Sequence, residues 1–117
     1  MSEAPARERR FYVEDMIACA EKVAAYTADL DQANFVASEL NYDATLRNID
    51  LIGEAATRIP EEIRQANSQI PWRLVIATRN RLIHGYLGID NDTLWSIVQT
   101  DIPALLPQLR QLRAEKH

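Results

Sequence analysis

Cysteine is almost missing from this sequence: Cys19 is the only one in 117 residues. No intrachain disulfide can form, and the expectation is a reducing, cytoplasmic setting. Glycine is scarce as well, at three residues, and alternating β-branched runs are few, which argues against a sheet. No apolar run approaches the ~20 residues of a membrane helix. The opening MSEAPARERR has no apolar signal core. Basic excess is also lacking, since 13 Lys and Arg face 17 Asp and Glu for a net charge of −4. A dedicated nucleic-acid binder usually shows a basic patch and a high pI. Any nucleic-acid chemistry here would depend on a local positive cleft. There is no Gly-rich phosphate loop, so the chain does not read as a nucleotidyltransferase or an NTPase. It has no His-x-x-x-His, no Cys pair and no dense acidic constellation, so no metal and no cofactor are expected. Internal repeats and low-complexity segments are absent too.

What is present is an ordinary globular mix, 47% hydrophobic and 26% charged, of a length that suits one domain over residues 1–117. The expected fold class is all-α, a small up-and-down helical bundle with the motif helix packed between neighbours. Residues 1–6 are expected to be a flexible arm. From about Arg7 to Ala28, one apolar stripe holds Tyr12, Val13, Met16, Ile17, Ala20, Val23 and Ala24. Cys19 sits at its edge and reads as a small buried hydrophobe rather than a nucleophile. A connection with a short helix, capped by Asp31, covers Asp29 to Ser38.

A longer helix covers about Glu39 to Ile59, with Tyr42, Leu46, Ile49, Ile52, Gly53 and Ala56 facing the core. Gly53 costs about 1 kcal/mol of helix propensity relative to alanine, which marks a place where another helix comes close. The opposite face carries Asp43, Arg47, Asp50, Glu54 and Arg58. Asp43, Arg47 and Arg58 fit a solvated face with i,i+4 pairs. Asp50 and Glu54, one turn apart, repel each other and call for a cation between them, from Arg79 or Arg47. Pro60 breaks this helix, and Glu61 to Ala66 is at most a short helical turn. Pro71 is expected at the first position of the next helix, where its missing N–H does no harm. Asn91 is a candidate N-cap. From Thr93 to about Glu115, Leu94, Trp95, Val98, Ile102, Leu105, Leu109 and Leu112 keep one stripe. The stripe stays in phase through Pro103, so a single kinked helix is expected.

The most informative stretch runs from Arg79 to Tyr86. On a helix from Trp72 to His84, the residues Trp72, Val75, Ile76, Leu82 and Ile83 fall on one apolar arc, with Arg79 near its middle. An unpaired buried guanidinium costs several kcal/mol. Arg79 therefore either meets a carboxylate or faces a cleft or interface that receives an anion. Asn80 and His84 lie one turn apart on the flank. Gly85 permits a left-handed end to the helix, and Tyr86 follows on the loop. A fixed cation, an amide, an imidazole and a phenol thus gather near one helix end. Arginine matches phosphate with two parallel donors, and imidazole moves protons near neutral pH. Spacing alone fits a salt-bridged arginine and a capping histidine equally well.

Arg, four residues, His, one residue, Tyr resembles the signature of the HepT family, within the HEPN superfamily. Asn80 fills that superfamily's polar position. The segments Leu46 to Arg64, Ile70 to Asp90 and Thr93 to Leu109 also resemble family segments in the family's order, about three-quarters of the chain. The resemblance implies a homodimer whose motif helices face each other across a cleft. It further implies a metal-independent endoribonuclease toxin of a toxin–antitoxin pair, acting on RNA rather than DNA and away from membranes. Arg79 and His84 would be catalytic, and Asn80 and Tyr86 would support them at the phosphate. The implied partner is an MntA-type minimal nucleotidyltransferase antitoxin, and Tyr86 would accept AMP from it. A Gly-Glu-Ala triplet, here Gly53 to Ala55, also recurs in the family, without an assigned role for Glu54. The alternative is a non-catalytic helical dimer that binds and regulates a nucleotidyltransferase.

Overall fold

The computed structural model describes the backbone of residues 4–84 and 90–114 and the side chains of residues 9–81 and 90–114. Among the described residues every regular element is helical. Helix α1 spans Ala4–Thr27, so residues 4–6, expected in a flexible arm, are already helical. Pro5 is tolerated there because first-turn N–H groups have no intrahelical partner. The predicted stripe of α1 is buried at Val13, Met16, Ile17, Ala20 and Val23. Ala24 is exposed; the buried strip is narrower than the apolar one, and a methyl group loses little in water. Cys19 is buried within the strip, where burial pushes its thiol above the ordinary value. It behaves as the packing group expected of it.

Helix α2 (Gln32–Ala37) is capped by Asp31, whose carboxylate accepts from the Asn34 N–H at 2.8 Å. Helix α3 spans Glu39–Thr57 and buries Ile49, Ile52, Gly53 and Ala56 as expected, together with Thr45 and Asn48. Hydropathy gave no sign of those last two. Asn48 is satisfied locally, its Nδ2 donating to the Ala44 carbonyl at 2.8 Å. Helix α4 (Glu61–Ala66) follows the break at Pro60, and helix α5 covers Trp72–His84. Pro71 stands just before α5 rather than at its first position, and its carbonyl accepts the first helical bond from the Val75 N–H at 3.0 Å. The start of α5 is pinned from outside: the Trp72 Nε1 donates to the carbonyl of buried Asn67 at 3.1 Å.

Helix α6 (Asn91–Ser96) is capped by Asp90, one residue earlier than expected. Asp90 reaches the Thr93 N–H at 2.7 Å, and that bond holds its carboxyl below the usual range. Asn91 instead accepts from the Tyr42 hydroxyl at 2.9 Å. The chain then enters a π-helical turn (Ile97–Asp101) before α7 (Ile102–Ala114). The expected single helix kinked at Pro103 is thus three continuous pieces. Pro103 cannot donate to the carbonyl four residues back, and its ring would collide with it. A wider turn absorbs the conflict, with the Ile102 N–H reaching back to the Ile97 carbonyl. The apolar stripe survives it: Leu94, Val98, Ile102, Leu105, Leu109 and Leu112 are all buried.

The long helices make neighbours in the order α5, α3, α1, α7. The core lies along α1, with Phe35, Tyr42 and Trp95 stacked at one end at centroid distances of 5.3 and 5.2 Å. Against expectation, α5 does not run through the middle of the bundle. Among the described residues it packs chiefly on α3, and Leu74, which shares a small cleft with Ile49 and Ile52 of α3 and Ile97 and Ile102 beyond it, is still 47% exposed. The expected arc positions Leu82 and Ile83 lie outside the described side chains.

Candidate active site on the motif helix

The site begins with a glycine. A Cβ on Gly53 would collide with the Cβ of Arg79, and would lie 2.9 Å from its Cγ and 3.1 Å from the Val75 carbonyl oxygen. Glycine is therefore the residue that lets α3 and α5 cross with the stem of Arg79 between them. This is the close approach that the glycine marked in the sequence. The stem is held by the crossing, and the guanidinium emerges beyond it between two carboxylates of α3.

Arg79 Nε lies 3.6 Å from Asp50 Oδ1, and Nη2 lies 3.8 Å from Glu54 Oε1. Arg47 Nη1 approaches the other oxygen of Asp50 at 3.7 Å. Both candidate cations thus attend the carboxylate pair. Arg47 pairs three residues along, with Asp50, rather than four residues back with Asp43. Two cations against two anions leave this group neutral in sum.

These pairs are loose. Each is longer than a good charge-assisted hydrogen bond of ~2.7–2.9 Å. Asp50 Oδ1 and Arg79 Nε are both buried without a hydrogen-bond partner, although they face each other. Among the described residues, the Arg79 guanidinium makes one hydrogen bond, from Nη1 to Asn80 Oδ1, and it is long at 3.4 Å. A guanidinium has five N–H donors, and most of these remain unspent. The side chain is about one-quarter exposed, so it is anchored at the stem and open at the tip. The two possibilities for Arg79, a carboxylate partner and an anion-receiving face, are compatible in this geometry.

Arg79 and Asn80 are thus brought together at the surface. His84 is the last residue of α5, with its backbone one helical turn beyond Asn80. Its imidazole, the Gly85 helix end and Tyr86 lie outside the described residues. Asp50 was only half legible in the sequence: its need for a cation was visible, but its burial against Nε was not. Among the described residues no group of three or more His, Cys, Asp or Glu could hold a metal ion. No helix among them is long and apolar enough to cross a membrane.

The family profile described as Ribonuclease HepT-like matches residues 16–112. The chain is 33% identical over 107 residues to the probable ribonuclease HepT of Thermococcus cleftensis, covering 92% of this chain and 97% of that one. It is also 33% identical over 99 residues to a protein of Methanocaldococcus jannaschii that carries a provisional RNase name, covering 85% and 91%. No solved structure matches the chain significantly. The chain belongs to the HepT-like family, of the HEPN type. The resemblance first carried by Arg79, Asn80, His84 and Tyr86 thus extends over residues 16–112.

Proposed function

We propose that this chain is a metal-independent endoribonuclease, the cytoplasmic toxin of a toxin–antitoxin pair, working as a homodimer with a composite site. The observation that carries the reading is Arg79, fixed by its stem over Gly53 and left with unspent donors at its tip. The ribonuclease names of the relatives support the same reading.

RNA can cleave itself when a 2′-hydroxyl attacks the adjacent phosphorus. The base takes the 2′-proton, the O2′–P bond forms and the P–O5′ bond breaks. An acid then protonates the departing O5′, leaving a 2′,3′-cyclic phosphate and a 5′-hydroxyl. His84 serves as base or acid. Arg79 carries the charge that builds on the phosphoryl oxygens, where a preorganised donor is most effective. Asn80 orients a phosphate oxygen or the imidazole, and Tyr86 contacts the phosphate. One motif imidazole per chain cannot readily fill both proton roles, so a second copy supplying the other is attractive. Asp50 and Glu54 aim the guanidinium and offset its charge until the phosphate arrives.

Control follows from the same chemistry. AMP placed on Tyr86 by an MntA-type nucleotidyltransferase would set an anion beside Arg79 and His84 and close the site to RNA. Cleavage of RNA by purified protein in EDTA tests the catalytic reading. His84→Ala should lower the rate roughly 10²–10⁴-fold while the fold stays intact. Unchanged cleavage by folded His84→Ala protein would place the activity elsewhere. Co-expression with the nucleotidyltransferase should add about 329 Da per AMP, and nothing to Tyr86→Phe. A phenylalanine variant that still takes the label would move the acceptor.

A further inference from the structure

An open groove of about 960 Å³ lies between α4 and α5, on the flank of α5 away from Gly53. That is near the upper end of the range for ligand clefts. Ile76 and the edge of Trp72 contribute apolar surface to it, and Arg64 and Arg73 stand in its walls. Among the described residues Glu61 is the one acidic residue lining it, so two arginines face one carboxylate there, on a chain whose net charge is −4. Glu61 is also engaged by Gln65, whose Nε2 donates to it at 3.1 Å. This is the local basic cleft that the acidic composition required of any nucleic-acid chemistry.

Arg64 and Asn80 tie the groove to a phosphate and to the motif. Arg64 is half-buried in the groove wall with its Nε shielded from solvent, so the donors it can offer a phosphate are those at the tip of its guanidinium. Asn80 also lines the groove, and its Oδ1 is the acceptor for Arg79 Nη1. Arg73 and Asn80 are seven residues apart on α5, hence two turns along one face and about 10.5 Å of rise. A strand whose phosphate is held by Arg79 would pass Asn80 and run along this face toward Arg73.

We infer that this groove binds the RNA strand next to the cleaved phosphate, with Arg64 and Arg73 each taking a backbone phosphate oxygen. The inference rests on the ribonuclease reading for which phosphate is cut, and on the groove alone for where the strand lies. Contacts of this kind position the strand without reading its bases. They also leave a salt signature, because each neutralised phosphate releases counterions.

The test is binding of a single-stranded, fully 2′-O-methylated RNA oligonucleotide, which lacks the attacking hydroxyl, followed by fluorescence anisotropy across a salt series. Arg64→Gln, Arg73→Gln and the double variant are compared with wild type and with Arg110→Gln on α7, which pairs with Glu21 of α1 and does not line the groove. Each groove variant should bind roughly 3–10-fold more weakly at low salt, with the slope of log K against log salt smaller by about 0.7 per lost contact. With cleavable RNA, the loss should appear in KM more than in kcat. Arg73→Gln guards against misfolding, since its side chain is exposed. Groove variants that bind with the wild-type slope overturn the inference and leave the groove to an acidic protein partner, even if wild type cleaves RNA normally. Wild type that binds through this groove but never cleaves keeps the inference and removes the catalytic reading.

Discussion

Where α1 meets α7, the contact is apolar at its centre and charged only at its rim. Met16, Ala20, Val23, Leu105 and Leu109 are buried in one cluster. The ion pairs Arg110–Glu21 at 2.8 Å and Arg113–Glu14 at 3.4 Å sit outside it, with every partner roughly half exposed. Where α3 meets α5, the order is reversed: a glycine and an arginine stem fill the crossing, and charged atoms without hydrogen-bond partners are buried beside it. The first contact buries apolar side chains and leaves its ion pairs in solvent. The second departs from that pattern at one point, where a guanidinium is held in place and kept under-coordinated. Departures from packing and pairing rules are expected at functional sites, and this difference agrees with the proposed role of Arg79.

Substitutions in the two contacts should separate these roles. The largest stability loss is expected from Leu109→Ala, roughly 3–5 kcal/mol in urea unfolding, because it opens a cavity in a fully buried position. RNA cleavage per folded molecule should survive it. Gly53→Val should cost about 3 kcal/mol, since the new side chain meets both the Arg79 stem and the α5 backbone. Here cleavage should fall beyond what the folded fraction explains, because α5 must move. Arg79→Ala should cost only about 1–2 kcal/mol, less than the 3–5 of a fully buried pair, because the guanidinium is partly solvated and its pairs are long. Arg110→Ala should cost at most about 0.5 kcal/mol, as expected of an exposed pair, and less in high salt. A ranking with Arg79→Ala at the top would make that residue a structural clamp and dissolve the contrast.

The scaffold was largely readable in advance because its cues are local. Asp31 announced its cap, Pro60 its break, and the leucines of the last stripe kept their phase through the π turn. Gly53 announced the crossing, since a glycine inside a helix needs a reason. What could not be read depends on distant geometry. Whether Asp90 or Asn91 caps α6 turns on which side chain reaches the Thr93 N–H. The edge placement of α5 follows from how the other helices share the core along α1. The buried face-to-face pair of Asp50 Oδ1 and Arg79 Nε exists only once α3 and α5 have crossed. The groove with Arg64 was invisible because its walls come from two helices, and neither arginine belongs to a motif.

The central claim is that the α3–α5 crossing exists to present an arginine fork to a phosphate. Arg79→Lys tests it most directly, because it keeps the charge between Asp50 and Glu54 and removes the paired donors. RNA cleavage in EDTA and thermal melting should be measured on the same preparation. The account predicts a rate loss of roughly 10²-fold or more, as for removal of a transition-state donor, with the melting transition nearly unmoved. Wild-type cleavage by the lysine protein, or a rate that falls only as far as the melt does, would contradict it.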